Sequence, residues 1–371
     1  MLSRFLSVRR LAGATLTVVL AAAVPCAAQV TPAAGYTPPD DTPAIKVGAT
    51  IFADYTIQQR PKMKDTDGND ITPNSFNVGR AYINVTGNIS HAIAFRITPD
   101  IAREIGTGSS LNGSLTFRLK YAYAQWNLDD YMARGSWARF GIQQTPWVDF
   151  MEGVYRYRFQ GTIFEDRESF LSSSDAGASF HYNFANNYGD IHSGFYNGEN
   201  YNKPEINNQK GWMTRATVRP LARSTTLALR GLRLTGFYDR DAYVKNAERR
   251  RGIVAVTFEH KYANAAFDYL TTTDQTGAAA ATVKGNGWSA WVTPRSSIGW
   301  EGLLRFDRLK PNKSLGDQTK RRAIAGVSYW FPHQGNVATA LLFDIDNTTF
   351  DNFVPARATQ RLIAVHALVS F

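Results

Sequence analysis

The chain has 371 residues, 41 Lys and Arg against 31 Asp and Glu for a formal charge of +10, 13% aromatic residues and one cysteine, Cys26. A single thiol excludes a disulfide framework and a thiolate metal site. A mean hydropathy of −0.29, with no apolar run of about 20 residues past the first thirty, excludes a bundle of membrane helices.

Taken in chain order, Arg4, Arg9 and Arg10 precede an apolar run, Leu11 to Val24, and small residues before Gln29. That order predicts a secretory signal peptide over 1–28, set aside from fold reasoning. Without its three arginines the charge of +10 falls to +7. Residues 29–43 carry Pro32, Pro38, Pro39 and Pro43 and predict a flexible periplasmic lead-in. Residues 44–371 are expected to form one transmembrane β-barrel.

From Ile45 on, apolar and polar residues alternate. Ile45, Val47, Ala49, Ile51, Ala53, Tyr55 and Ile57 share one parity; Lys46, Thr50, Asp54, Thr56 and Gln58 share the other. In 115–126, Leu115, Phe117, Leu119, Tyr121 and Tyr123 are expected to face out, with Thr116, Arg118 and Lys120 opposite. Ala323, Ala325, Val327, Tyr329 and Phe331 repeat the pattern. So do Ile363, Val365, Ala367, Val369 and Phe371, a closing strand with a terminal aromatic for the membrane interface. Such alternation averages out in a hydropathy window, so a barrel that crosses a membrane reads as polar.

About 16 such segments of roughly ten residues fit the chain. Their expected starts are 45, 77, 92, 115, 136, 176, 189, 211, 229, 252, 264, 286, 298, 322, 337 and 359, with weak alternation over 176–196 and 264–294. Short turns near 88–91, 186–189, 261–264, 294–297 and 332–335 alternate with longer polar loops. The fold class is therefore all-β: an antiparallel transmembrane barrel of about 16 strands.

The third loop, Thr145 to Asp175, is long and rich in aromatics, including Trp147, Phe150, Tyr155, Tyr157 and Phe159. Those rings need a surface to pack on, and the inner barrel wall is the nearest one. The loop is expected to fold into the lumen and set its aperture. Its acids are Asp149, Glu152, Glu165, Asp166 and Glu168; its arginines include Arg156 and Arg158.

Inward parity places Lys46, Arg80, Arg96, Arg118, Lys120, Arg139, Arg215, Arg219 and Arg233 on the first nine strands. A charge facing lipid at mid-membrane costs about 2–4 kcal/mol, so these side chains belong inside. Arginines opposite an acidic loop set up a transverse field across the interior. Arg80, Arg96, Arg118 and Arg139, on neighbouring strands, are the strongest candidates for the aperture. Two basic triplets, Arg249-Arg250-Arg251 and Lys320-Arg321-Arg322, fall at the external strand ends, where lipopolysaccharide phosphates or plain solvent would meet them. His181 and His192 are expected to pair across a hairpin facing inward; two imidazoles without a third ligand make no metal site. No serine stands in a spacing that singles out a nucleophile.

Three strings carry a family likeness: Phe76-Asn77-Val78-Gly79-Arg80-Ala81-Tyr82, Arg139-Phe140-Gly141-Ile142-Gln143-Gln144-Thr145-Pro146 leading into the third loop, and Gly194-Phe195-Tyr196-Asn197-Gly198. With them the chain resembles the outer-membrane porins, most closely the phosphate-selective porin O and P family. The resemblance implies a 16-stranded homotrimer in the outer membrane of a Gram-negative bacterium. It implies passive diffusion of small polar or anionic solutes, without cofactor, catalysis or nucleic acid. Arg80, Arg96, Arg118 and Arg139 match the family's arginine ladder. The absence of lysine between Lys120 and Lys203 departs from its lysine cluster, so the expectation is a general porin with modest anion preference. A non-conducting barrel acting as an adhesin, and a barrel hydrolase, are the competing readings.

Overall fold

Hydrocarbon offers no partner for a backbone N–H or C=O, so strands that meet lipid must pair on both edges. The computed structural model describes residues 41–371 except 107, 334 and 336; the stretch expected to be a signal peptide and most of the expected lead-in lie outside the described residues. Within them a single sheet closes on itself. Its first half runs β1 (Ala44–Arg60), β4 (Asn74–Asn88), β5 (Ile93–Arg103), β6 (Leu115–Asn127), β7 (Trp137–Gln144), β8 (Ser174–Asn183), β9 (Gly189–Tyr196) and β10 (Gly211–Val218). Its second half runs β11 (Leu232–Asp241), β12 (Arg249–His260), β13 (Ala263–Asp274), β14 (Val283–Pro294), β15 (Trp300–Lys310), β16 (Thr319–Trp330), β17 (Ala338–Asp351) and β18 (Gln360–Ser370). That is the expected 16-strand antiparallel barrel. A two-stranded ribbon, β2 (Met63–Lys64) and β3 (Asp70–Ile71), decorates the first long loop.

Closure joins the first strand to the last. Thr50 stands opposite Ser370 and Ile57 opposite Ile363, and Ala49 and Phe371 exchange both backbone hydrogen bonds at 3.0 Å. A Cβ on Gly48 would sit 2.3 Å from the Phe371 carbonyl oxygen, so this seam requires glycine.

The zigzag sorts as expected over most of the wall. Ile45, Val47, Phe117, Phe140, Phe195, Val254, Leu304, Val327, Phe343, Val365 and Phe371 are exposed on the outside. Thr98, Asp100, Arg139, Asp239, Asp268 and Asp344 are buried inside.

Besides a slip at Gln59 near the end of β1, two bulges reset the parity within strands. In β4 the register slips so that Phe52 faces Arg80 and Ala53 faces Val78, leaving Gly79 as the extra residue. In β6, Thr98 faces Tyr121 and Pro99 faces Leu119, leaving Lys120 unpaired. An extra residue flips every side chain beyond it. Tyr121 and Tyr123 were expected outside with Leu115, Phe117 and Leu119; they point inward instead, under Arg96 and Arg139.

The weak alternation also has physical causes. In β8 and β9 the outward positions Ala176, Ala178 and Ser193 are small, and the inward Gly177 and Gly194 leave room for neighbouring side chains. A Cβ on Gly177 would meet the Tyr196 ring at 2.9 Å. In β13 and β14, Ala266, Leu270 and Trp291 face inward yet are buried and apolar because the third loop covers them. Likewise the run near 229 is a 3-10 turn, Leu227–Gly231, and the strand starts only at Leu232.

Gly48→Val is expected to destabilise the closed barrel by about 1–3 kcal/mol through overpacking at the seam. Gly236→Ala, where a Cβ meets nothing within 4 Å, is the control. Thermal unfolding in detergent, followed by the heat-dependent gel mobility of the folded barrel, checks this: the first variant loses the compact band at lower temperature than wild type, the second does not.

Candidate functional site: the divided interior

The third loop enters the barrel through two helices. α1 (Pro146–Tyr155) has proline in its first turn, which suits a position whose N–H needs no partner, and ends at Arg156 in the left-handed region, φ 62°. α2 (Phe164–Arg167) is one turn. Trp147, Val148, Met151, Val154, Tyr155, Tyr157, Ile163 and Phe164 are buried. Their aromatic partners lie on the wall: Trp147 meets Phe237 at 5.8 Å between centroids, Tyr155 meets Trp291 at 5.1 Å, and Phe159 meets Trp330 at 5.9 Å. The inward constriction read from the aromatic content is thus present, and its surface is the second half of the sheet.

Polar anchors tie the loop's backbone to β10 and to the second half of the sheet. Arg215 donates to the Pro146 carbonyl at 3.1 Å, Asn264 to Val154 at 2.8 Å and Arg305 to Thr162 at 2.9 Å. Tyr157 donates its hydroxyl to Glu301 at 3.0 Å, and Lys320 binds Glu168 at 2.7 Å. Arg305, itself paired with Asp307 at 2.8 Å, and Asn264 were not singled out by sequence, because an anchoring role depends on where a distant loop lands.

With the loop docked there, the free space lies towards the first half of the sheet. On the long-loop side a cavity of about 420 Å³ is lined by Arg80, Arg118, Arg158, Asp166, Arg167 and Tyr201, among others. On the short-turn side a cavity of about 340 Å³ is lined by Arg96, Trp137, Asp149, Phe150, Arg215, Arg219 and Arg233, among others. Lys120 and Arg139 line neither and are 4% and 2% exposed.

The candidate cations divide by partner. Arg80 and Arg118 share the fully buried Asp100, at 3.2 and 3.0 Å, with the Tyr201 hydroxyl at 3.3 Å. Arg215 pairs with Asp190, Arg233 with Glu259, Arg156 with Glu301 at 3.5 Å and Arg158 with Glu152 at 2.6 Å. Lys46 is exposed, and it and the remaining four have no carboxylate within 4 Å among the described residues. Arg96 bonds Asn84 and Thr98 and lies 4.4 Å from the Tyr121 ring centre. Lys120 bonds the Tyr82 hydroxyl at 3.3 Å. Arg139 lies 3.7 Å over Trp137 and bonds Gln125 and Gln144. Arg219 donates to the Arg230 carbonyl. Neutral partners and ring faces hold these cations in place while leaving their charge uncompensated. The bulge that turned Tyr121 and Tyr123 inward supplies two of those faces.

The five loop acids do not act as one group. Asp149 is exposed in the short-turn cavity and Asp166 lines the long-loop cavity. Glu152 sits beside Arg158. Glu165 lies fully buried beneath the loop and Glu168 is turned to Lys320, so neither faces the arginine wall. Burial pushes the Glu152, Glu165 and Asp166 carboxyls above the usual carboxylate range.

The basic triplets find counter-charges within the chain. Arg249 pairs with Asp241, Arg250 with Glu248, Arg251 with Asp274, Lys320 with Glu168, Arg321 with Asp351 and Arg322 with Asp346. Strand parity splits each triplet: Arg251 is buried and donates to the Phe170 carbonyl, while Arg250 and Arg321 stay exposed. His181 and His192 do stand opposite each other, 6.0 Å between ring centres, and among the described residues no three potential metal ligands cluster.

Comparison with solved structures bears on the fold. An anion-selective porin from Comamonas acidovorans aligns with TM-score 0.59 and 10% identity over 89% of this chain and 100% of its own. The outer membrane channel DcaP of Acinetobacter baumannii gives 0.55 and 10% over 91% and 99%. The trimer form of OmpT, an outer membrane protein of Vibrio cholerae, gives 0.58 and 11% over 89% and 100%. No protein-family model matches the chain, and no curated protein sequence matches it. At these identities the shared property is the barrel, and the chain has the fold of the outer-membrane porins.

A raised carboxyl releases its proton at higher pH than an ordinary one. As pH falls through that window the loop loses negative charge, and the interior becomes more cationic. The folded state also binds more protons than the unfolded there, so loop docking strengthens as pH falls. Reversal potentials in a KCl gradient at stepwise lower pH are expected to move toward anion preference. Glu152→Gln is expected to move the neutral-pH value in the same direction and to shrink the later shift.

Proposed function

We propose that the protein is an outer-membrane porin that passes small hydrophilic solutes down their gradients, with a modest preference for anions. The observation that carries this reading is the pairing of a loop-narrowed interior with Arg96 and Arg219, which line the short-turn cavity without a carboxylate in direct contact. Uncompensated cations beside a narrow space raise the local anion concentration and lower the barrier to anion entry. The structural likeness to an anion-selective porin supports the same reading. Phosphate is a plausible solute on electrostatic grounds, but the ladder is uneven: Arg80 and Arg118 share Asp100, and Arg96 and Arg139 are held by amides and rings.

Assembly as a homotrimer, export by the predicted signal peptide and contact with lipopolysaccharide belong to this proposal. Arg250 and Arg321, the exposed members of the two basic triplets, are the side chains offered for that contact.

Purified protein in planar bilayers is expected to show a steady ohmic conductance with a reversal potential favouring chloride over potassium. Arg96→Gln is expected to cut the chloride-to-potassium permeability ratio about two- to threefold by removing one uncompensated charge. Potassium preference in the wild type would contradict the proposal, and folded protein that conducts nothing would favour the closed, adhesin-like barrel.

A further inference from the structure

We propose that the short-turn cavity is a binding site for a small aromatic carboxylate. The inference rests on the anion-passing reading above and names a class of solute and a place where it pauses.

Charge is the first argument. Four arginines, Arg96, Arg215, Arg219 and Arg233, line the cavity, against two carboxylates, Asp149 and Asp190. Asp190 is already engaged by Arg215 and by His181, whose Nε2 lies 3.1 Å away. The other nitrogen of His181 lies 3.2 Å from the Gly135 carbonyl oxygen. Glu259 serves Arg233. Arg96 and Arg219 are left with no acid. Arg219 is 8% exposed, and its Nε finds no acceptor. A guanidinium is donor-only and takes a carboxylate in its fork.

Shape and surface are the second argument. The loop contributes Pro146, Phe150 and Val154 to this cavity, and the wall contributes Trp137. The Phe150 ring is half-buried and already carries the Arg215 guanidinium at 4.8 Å. A bare inorganic ion would use the arginines and leave this apolar side against water. A ring bearing one carboxylate uses both: the anion reaches Arg219 and Arg96, and the ring packs against Phe150 and Val154. A volume of about 340 Å³ sits at the small end of ligand pockets, room for one compact organic molecule. The long-loop cavity has arginines as well, but the rest of its lining is mostly serines, threonines and asparagines, with Leu171, Tyr201 and Met213 as its apolar surface, and it is not assigned this role.

The test is calorimetric titration of the folded protein in detergent with benzoate and with acetate, which share the charge and differ in the ring. Benzoate is expected to bind at least about tenfold more tightly than acetate, the difference a buried ring supplies. Arg219→Gln is expected to weaken benzoate about tenfold, and Phe150→Ala to remove the benzoate advantage while acetate binding stays. Equal binding of the two acids to the wild type, or no binding of either, overturns the proposal without the need for any variant. Bilayer recordings separate the two readings. Chloride preference with no benzoate advantage sinks this inference alone, and potassium preference removes the anion-passing reading beneath it.

Discussion

Every peptide group that meets hydrocarbon must find its partner within the sheet, and only a closed sheet leaves none over. The pairing of β1 with β18 is therefore the contact on which the rest depends. Once the sheet closes, a strict period of two sends one set of side chains to lipid and the other to the interior. The charged set can then stay ionised at low cost because it never faces hydrocarbon. The same closure makes Gly48 a fixed requirement, since the terminal carbonyl occupies the space a Cβ would take.

The interior gains its asymmetry from the third loop. Its aromatic side docks on apolar positions of the second half of the sheet, where Asn264 and Arg305 hold its carbonyls, while Arg215 on β10 holds the start of α1. Half of the wall is consumed in packing. The cations of the other half remain, some quenched by Asp100, others held by amides and rings. The acids of the loop divide in the same way, with Asp149, Glu152 and Asp166 on the open side and Glu165 and Glu168 committed to the packed side. The field across the space is set as much by which charges the packing withdraws as by which charges the strands supply.

Strand number, closure and the inward loop were legible in the sequence, because period-two alternation and an aromatic-rich loop are each direct consequences of a two-solvent wall. What escaped was everything that depends on a single extra residue or on a distant partner. The run Leu115, Phe117, Leu119, Tyr121, Tyr123 looks unbroken because tyrosine suits both faces, so the bulge at Lys120 left no trace in composition. Ala266, Leu270 and Trp291 blurred the alternation of their strands because the loop covers them from inside, and that cover lies more than a hundred residues away in the chain. Glu165 and Glu168 read as aperture acids by position, whereas the turn at α2 aims them elsewhere. Arg251 and Lys320 read as surface charges, whereas strand parity and loop contacts turned them inward.

The central claim is that one parity of each strand meets lipid and the other meets water, with a switch at Lys120. Residues 27–371 contain no cysteine, so single cysteines for spin labels can be placed along β6 one at a time. Collision rates with oxygen, enriched in lipid, and with a water-soluble nickel chelate are then compared in bilayers. The account predicts oxygen-dominated labels at 117, 119, 122 and 124 and chelate-dominated labels at 118, 121 and 123. Alternation that runs unbroken through 120, or no alternation at all, would contradict it.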